Sequence, residues 1–152
     1  MISTVIFVGS LLSCLLSRGV TAFDKRVEGI NTNHIKTFDC PSTTQAHPSQ
    51  RELRASMDRF ASIFYVEKDV ESAFDQYVAK NYVQHNPGIA DGRDAAVEAL
   101  TPLFSAKENY FQIARVMVGP EYTTIHIKAS TKIQASNVFD VYRTIGSCTI
   151  EH

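Results

Sequence analysis

The apolar positions change period once along this chain, near residue 108. From Arg51 onward, Leu53, Met57, Phe60 and Phe64 recur at spacings of 4, 3 and 4, the apolar stripe of an amphipathic helix. A second helix is predicted over KDVESAFDQYVAK. Asp69 would accept from the free N–H groups of its first turn, and Val70, Ala73, Phe74, Tyr77 and Val78 would form its buried face. The stretch YVQHNPGIADGRDA follows, with Asn86-Pro87 and Asp91-Gly92 as turn signals between helices. GRDAAVEALTPLF reads as a third helix with Ala96, Val97, Leu100 and Phe104 inward. Pro102 should end or kink it, because proline supplies no N–H to the ladder.

Past residue 108 the segments NYFQIARVMV, YTTIHIKAS, SNVFDVYR and CTIEH are rich in β-formers, and connections at Gly119-Pro120, 132–136 and Ile145-Gly146 separate them. Helices first and strands afterwards predict an α+β fold, three helices packed on one face of a curved antiparallel sheet. Such a sheet leaves a pocket at the open end of its cone.

The N-terminal segment MISTVIFVGSLLSCLLSRGVTA carries an apolar run from Val5 to Leu16, followed by small residues up to Ala22. The run is shorter than the roughly 20 residues a membrane-spanning helix needs. The expectation is a cleavable signal peptide over residues 1–22, a secreted or secretory-pathway protein and no stable membrane anchor; a buried N-terminal helix is the competing reading. Residues 23–50 show neither period and read as an extended arm, with His34 and His47 at its surface. Lys25-Arg26 is either a dibasic processing site or an ordinary charged pair. Cleavage would remove Cys14 and leave Cys40 and Cys148, which an oxidising compartment invites to pair. No Asn-x-Ser/Thr sequon occurs in the chain.

The 152-residue chain has a formal charge of −1 and no basic run longer than two residues, which argues against nucleic acid as a partner. Nucleophile-elbow, phosphate-loop and close-set metal-ligand motifs are absent. His85, His126 and Asp140 lack the i, i+2 or i, i+4 spacing of metal ligands on a strand or helix, so no metal is expected.

Taken together, KDVESAFDQYVAKNYVQHNPGIADGRDA, TTIHIKAS, NVFDVYR and IGSCTIEH resemble the SnoaL-like, polyketide cyclase-like branch of the NTF2-like superfamily over residues 51–152. Tyr-x-Gln-His-Asn-Pro with Ala-Asp-Gly is the most specific element. The resemblance implies an α+β cone, no organic cofactor or metal, and a homodimer through the sheet's outer face. It also implies acid/base chemistry on a small apolar or carbonyl-bearing metabolite: cyclisation, isomerisation or dehydration. Similar proteins continue past Ile-Glu-His with a Trp-Asp-Val segment, whereas this sequence stops at His152. A non-catalytic small-ligand binder and a truncated, inactive homologue are therefore the alternatives.

Such chemistry needs a base or acid in an apolar cavity and a donor for the developing enolate oxygen. Asp140 leads, because it interrupts an apolar strand and shares a face with Val138 and Tyr142. His85 is expected to act as acid/base or to orient substrate with Asn86 beside it; a structural histidine next to a turn is the alternative. His126 lies mid-strand on the face of Thr124 and Lys128, as a polar pocket group or a solvent-facing one. Tyr65, Tyr82, Asn86, Tyr142 and His152 are the candidate substrate contacts. For the tyrosines, core packing competes with that role.

Overall fold

The computed structural model describes residues 37–152; the expected signal peptide, Lys25-Arg26 and His34 lie outside the described residues. Helix α1 (Gln50–Ala61) begins at a capping box, in which the Ser49 side chain accepts from Glu52 N–H and the Glu52 carboxylate accepts from Ser49 N–H. Its stripe of Leu53, Met57 and Phe60 is buried. The chain then widens into a π-turn over Ser62–Val66, with Glu67 N–H donating to Ser62 C=O at 2.9 Å. Ile63, Phe64 and Tyr65, three consecutive side chains, are all buried here. Lys68 closes the turn in the left-handed region (φ 59°), and Asp69 N–H reaches back to Ile63 C=O at 3.1 Å.

Helix α2 (Val70–Tyr77) starts at the Asp69 cap, whose carboxylate accepts from Ser72 N–H at 3.0 Å. The helix predicted to continue through Val78 and Lys80 stops at Tyr77. Val78–Val83 is instead strand β1, which pairs parallel with the last strand at Val78↔Thr149 and Val83↔Glu151. Val78 is buried, but by that sheet rather than by a helix face.

Helix α3 (Arg93–Ser105) contains Pro102 and runs past it. Of the end or kink expected at Pro102, the end does not occur. Proline deprives one carbonyl, that of exposed Glu98, of its intrahelical donor, and Thr101 Oγ1 donates to Val97 C=O at 2.7 Å.

Strands β2 (Tyr110–Val118), β3 (Tyr122–Ser130), β4 (Ala135–Ile145) and β5 (Cys148–Glu151) form an antiparallel meander, and the five-stranded order is β1-β5-β4-β3-β2. The sheet is therefore antiparallel except at β1–β5. Its inner face presents Phe111, Val116, Ile125, Ile127 and Tyr142 to the helices. Its other face exposes Met117, Tyr122, Phe139 and Val141.

The arm before α1 is tied to this sheet. Lys80 N–H donates to Asp39 C=O at 2.8 Å, Asp39 N–H to Asn81 Oδ1 at 2.9 Å, and Asn81 Nδ2 to Thr37 C=O at 2.7 Å, covering the outer edge of β1. Cys40 and Cys148 are joined by a disulfide with their Cα atoms 6.0 Å apart. At the β4–β5 turn Gly146 has φ +55°, and a Cβ there would stand 2.0 Å from Gln45 C=O, so glycine is required for the arm to lie this close. Among the described residues, no helix is long and apolar enough to cross a membrane, and no group of three or more His, Cys, Asp or Glu is placed to hold a metal ion.

Candidate functional site

Between the helices and the inner face of the sheet lies a cavity of about 230 Å³. That is smaller than the roughly 300–1,000 Å³ that accommodates drug-sized ligands. Phe64, Phe74, Leu100 and Phe104 wall it from the helices; Phe111, Ile127 and Val138 wall it from the sheet. The aromatic lining is self-packed, with Phe104 stacked on Phe111 at 4.3 Å between centroids and tilted against Phe64 at 4.6 Å. Polar groups gather at one end: Tyr82, Gln84, Asn86, Asp140, Tyr142 and His152. Among the described residues, no Lys or Arg lines it.

Strand alternation decides which candidates reach this end. In β4, Val138, Asp140 and Tyr142 face inward. Asp140 Oδ2 accepts from the Tyr65 hydroxyl at 2.5 Å, while Oδ1 faces His152 Nε2 at 3.4 Å. Tyr65 and Tyr142 hydroxyls are 2.7 Å apart. Tyr65 has one proton to donate; with that proton on the Asp140 carboxylate, Tyr142 donates to Tyr65. Burial, reinforced by the neighbouring Tyr142 and Asp140, pushes the Tyr65 phenol far above its ordinary value; burial and Asp140 do the same to Tyr142 and Tyr82. All three phenols therefore act as hydrogen-bond donors, not as bases. Tyr65 is 1% exposed and does not line the cavity: it holds Asp140 from behind rather than contacting a ligand.

His85 does not reach the cavity. The chain keeps its strand alternation beyond β1, so Tyr82 and Gln84 are buried while the His85 ring is largely exposed, 3.5 Å from Glu151 Oε2. Glu151 in turn is paired with Arg143 on the same outer side at 2.9 Å. His126 does not line the cavity either. Its register partner is Phe139, so it lies on the sheet's outer face, stacked on the Phe139 ring at 4.2 Å with Nε2 3.2 Å from Asn137 Oδ1. The inward residues on either side of it are Ile125 and Ile127.

Two members of the polar end carry more than the sequence reading gave them. His152 is at the cavity wall, held through its backbone N–H to Val83 C=O and through its C=O by His85 N–H. Gln84, buried and at the cavity wall, is absent from the sequence candidates, which take its neighbour His85 instead. The signal was present: Tyr82 and Gln84 stand two apart, which places them on one face once YVQ is read as a strand.

No protein-family model matches the sequence, and no curated protein matches it. Solved structures do share its fold. An NTF2-like protein of unknown function from Mesorhizobium loti superposes with a TM-score of 0.57 at 19% identity, covering 69% of this chain and 92% of its own. TsrD from Streptomyces laurentii gives 0.54 at 14% identity, covering 70% and 88%. AclR from Streptomyces galilaeus, a candidate hydroxylase, gives 0.53 at 11% identity, covering 68% and 87%. At these identities the likeness establishes the fold alone.

Proposed function

We propose that this chain, with its NTF2-like fold, binds a small, neutral, carbonyl-bearing molecule of the polyketide kind and moves a proton next to the carbonyl, as in a cofactor-independent cyclisation or isomerisation. The observation that carries this reading is Asp140: a carboxylate at the polar end of a largely apolar cavity, with one oxygen fixed by Tyr65 and the other turned toward His152 Nε2. Apolar rings on the helix side suit a flat hydrocarbon skeleton. A lining without Lys or Arg among the described residues disfavours an anionic ligand. In this reading Asp140 Oδ1 takes the proton α to the carbonyl. Tyr82, kept protonated by burial, supplies the donor for the enolate oxygen.

The test is exchange of the α-protons of α-tetralone in D₂O, followed by proton NMR. The wild type should accelerate exchange over buffer, and Asp140→Asn should lose about 10²- to 10⁴-fold of that acceleration. Equal exchange by both proteins would sink Asp140 as the base. Ketone binding without exchange in either protein would favour a ligand-binding role for the same cone.

A further inference from the structure

Gln84 is the one buried side chain at the polar end whose chemistry has no role so far. Its Oε1 accepts from Asn86 N–H at 2.9 Å. A backbone N–H can only donate, so this contact fixes which end of the amide is oxygen. The same Oε1 lies 3.1 Å from His152 Nδ1. An oxygen already identified as an acceptor requires the ring nitrogen to bring the proton, so Nδ1 is the N–H. Nε2 then faces Asp140 Oδ1 at 3.4 Å, looser than a settled N–H···O bond.

We infer that Gln84 sets the tautomer of His152 and so makes His152 and Asp140 a pair that shares one exchangeable proton. With Nδ1–H committed to Gln84, Nε2 and Oδ1 confront each other as two lone-pair sites. The pair takes up one proton, on the oxygen or on the nitrogen, and its charge rises from −1 to 0. In the proton-transfer reading above, on which the catalytic value of this pair rests, the C–H bond breaks and its electron pair stays on the substrate as the enolate. The proton goes to Oδ1 and onward to Nε2, and returns by the same route to a different carbon. Tyr65 keeps Oδ2 occupied, so Oδ1 is the oxygen left to react. The other ionisable groups around the pair are Tyr142 and Tyr82 from the sheet, Tyr65 from the π-turn behind, and Asp91, whose carboxylate accepts from Gln84 N–H at 2.8 Å; the Glu151–Arg143–His85 cluster lies on the outer side.

Gln84 is thus a positioning residue, and its role can be read without any substrate. Long-range ¹H–¹⁵N correlation on the full chain with ¹⁵N-labelled histidine rings distinguishes the two neutral tautomers. His152 is assigned by the cross-peaks lost in His152→Asn. The wild type should show Nδ1–H. Gln84→Leu should switch His152 to Nε2–H, donating to Asp140, and Gln84→Glu, which keeps the acceptor, should retain Nδ1–H. Ketone exchange should follow the same order, with Gln84→Leu losing at least 10-fold and Gln84→Glu recovering most of it. An Nε2–H tautomer in the wild type would overturn the assignment whether or not the variants fold. So would an unchanged tautomer in a folded Gln84→Leu. A wild type with Nδ1–H and no exchange activity would overturn the proton-transfer reading and uphold the assignment.

Discussion

A carboxylate half-buried in an apolar strand needs partners for its oxygens, and at Asp140 the phenol of Tyr65 provides one of them. Tyr65 and Tyr142 are both fully enclosed, yet their removal should not be equivalent. Tyr65→Phe leaves Oδ2 without its donor, so it should cost about 1–3 kcal/mol in urea unfolding at neutral pH. Tyr142→Phe leaves the Tyr65–Asp140 bond intact and removes only a donor to Tyr65, so about 1 kcal/mol is expected. Equal losses would mean that Tyr65 donates to Tyr142 instead. Asp140 was legible in the sequence because an acid among Val138, Phe139 and Val141 needs a reason, and alternation groups it with Tyr142. His126 was not, because period 2 separates the faces of a strand without saying which one is covered; helix packing on Ile125 and Ile127 decides that.

At the scale of elements, the π-turn and the β4–β5 turn do most to place the site. The first delivers Phe64 to the cavity wall and Tyr65 to Asp140 as sequence neighbours. The second starts β5, the strand that ends beside His152. Gly146→Ala would combine a left-handed backbone with a methyl group against the arm's carbonyls. The conformational part alone costs about 1–2 kcal/mol. A fall in melting temperature of about 5 °C or more is expected, and no change would show that the arm yields freely. Replacing Cys40 and Cys148 together by Ala should cost about 2–4 kcal/mol, seen as an earlier urea midpoint, because their link closes a separation of 108 residues. Strand β1 escaped the sequence reading for a physical reason. Val70, Ala73, Phe74, Tyr77 and Val78 continue one helical stripe, and what ends the helix is a ladder to Cys148–Glu151, remote in sequence.

For the molecule as a whole, the buried phenols predict a specific alkaline limit. Tyr65, Tyr82 and Tyr142 hold their protons more tightly folded than unfolded, where tyrosine titrates near pH 10. Above that pH the unfolded chain sheds protons that the folded one keeps. The stability they contribute is thus complete below about pH 10 and is lost as pH rises through the folded values. Each phenol adds a slope of about 1.4 kcal/mol per pH unit in that window. Urea midpoints measured from pH 8 to 11.5 should be level and then fall, less steeply in Tyr82→Phe; an unchanged slope in that variant would remove Tyr82 as a source. The parallel pairing of β1 with β5 also imposes a chronology on synthesis. Chains emerge N-terminus first, so Val78–Val83 is made before every other strand and gains its ladder partner only when Cys148–Glu151 arrives. Until then Cys40 lacks the thiol it joins in the finished domain, and its oxidation marks the moment at which the sheet, and with it the wall bearing His152, has closed.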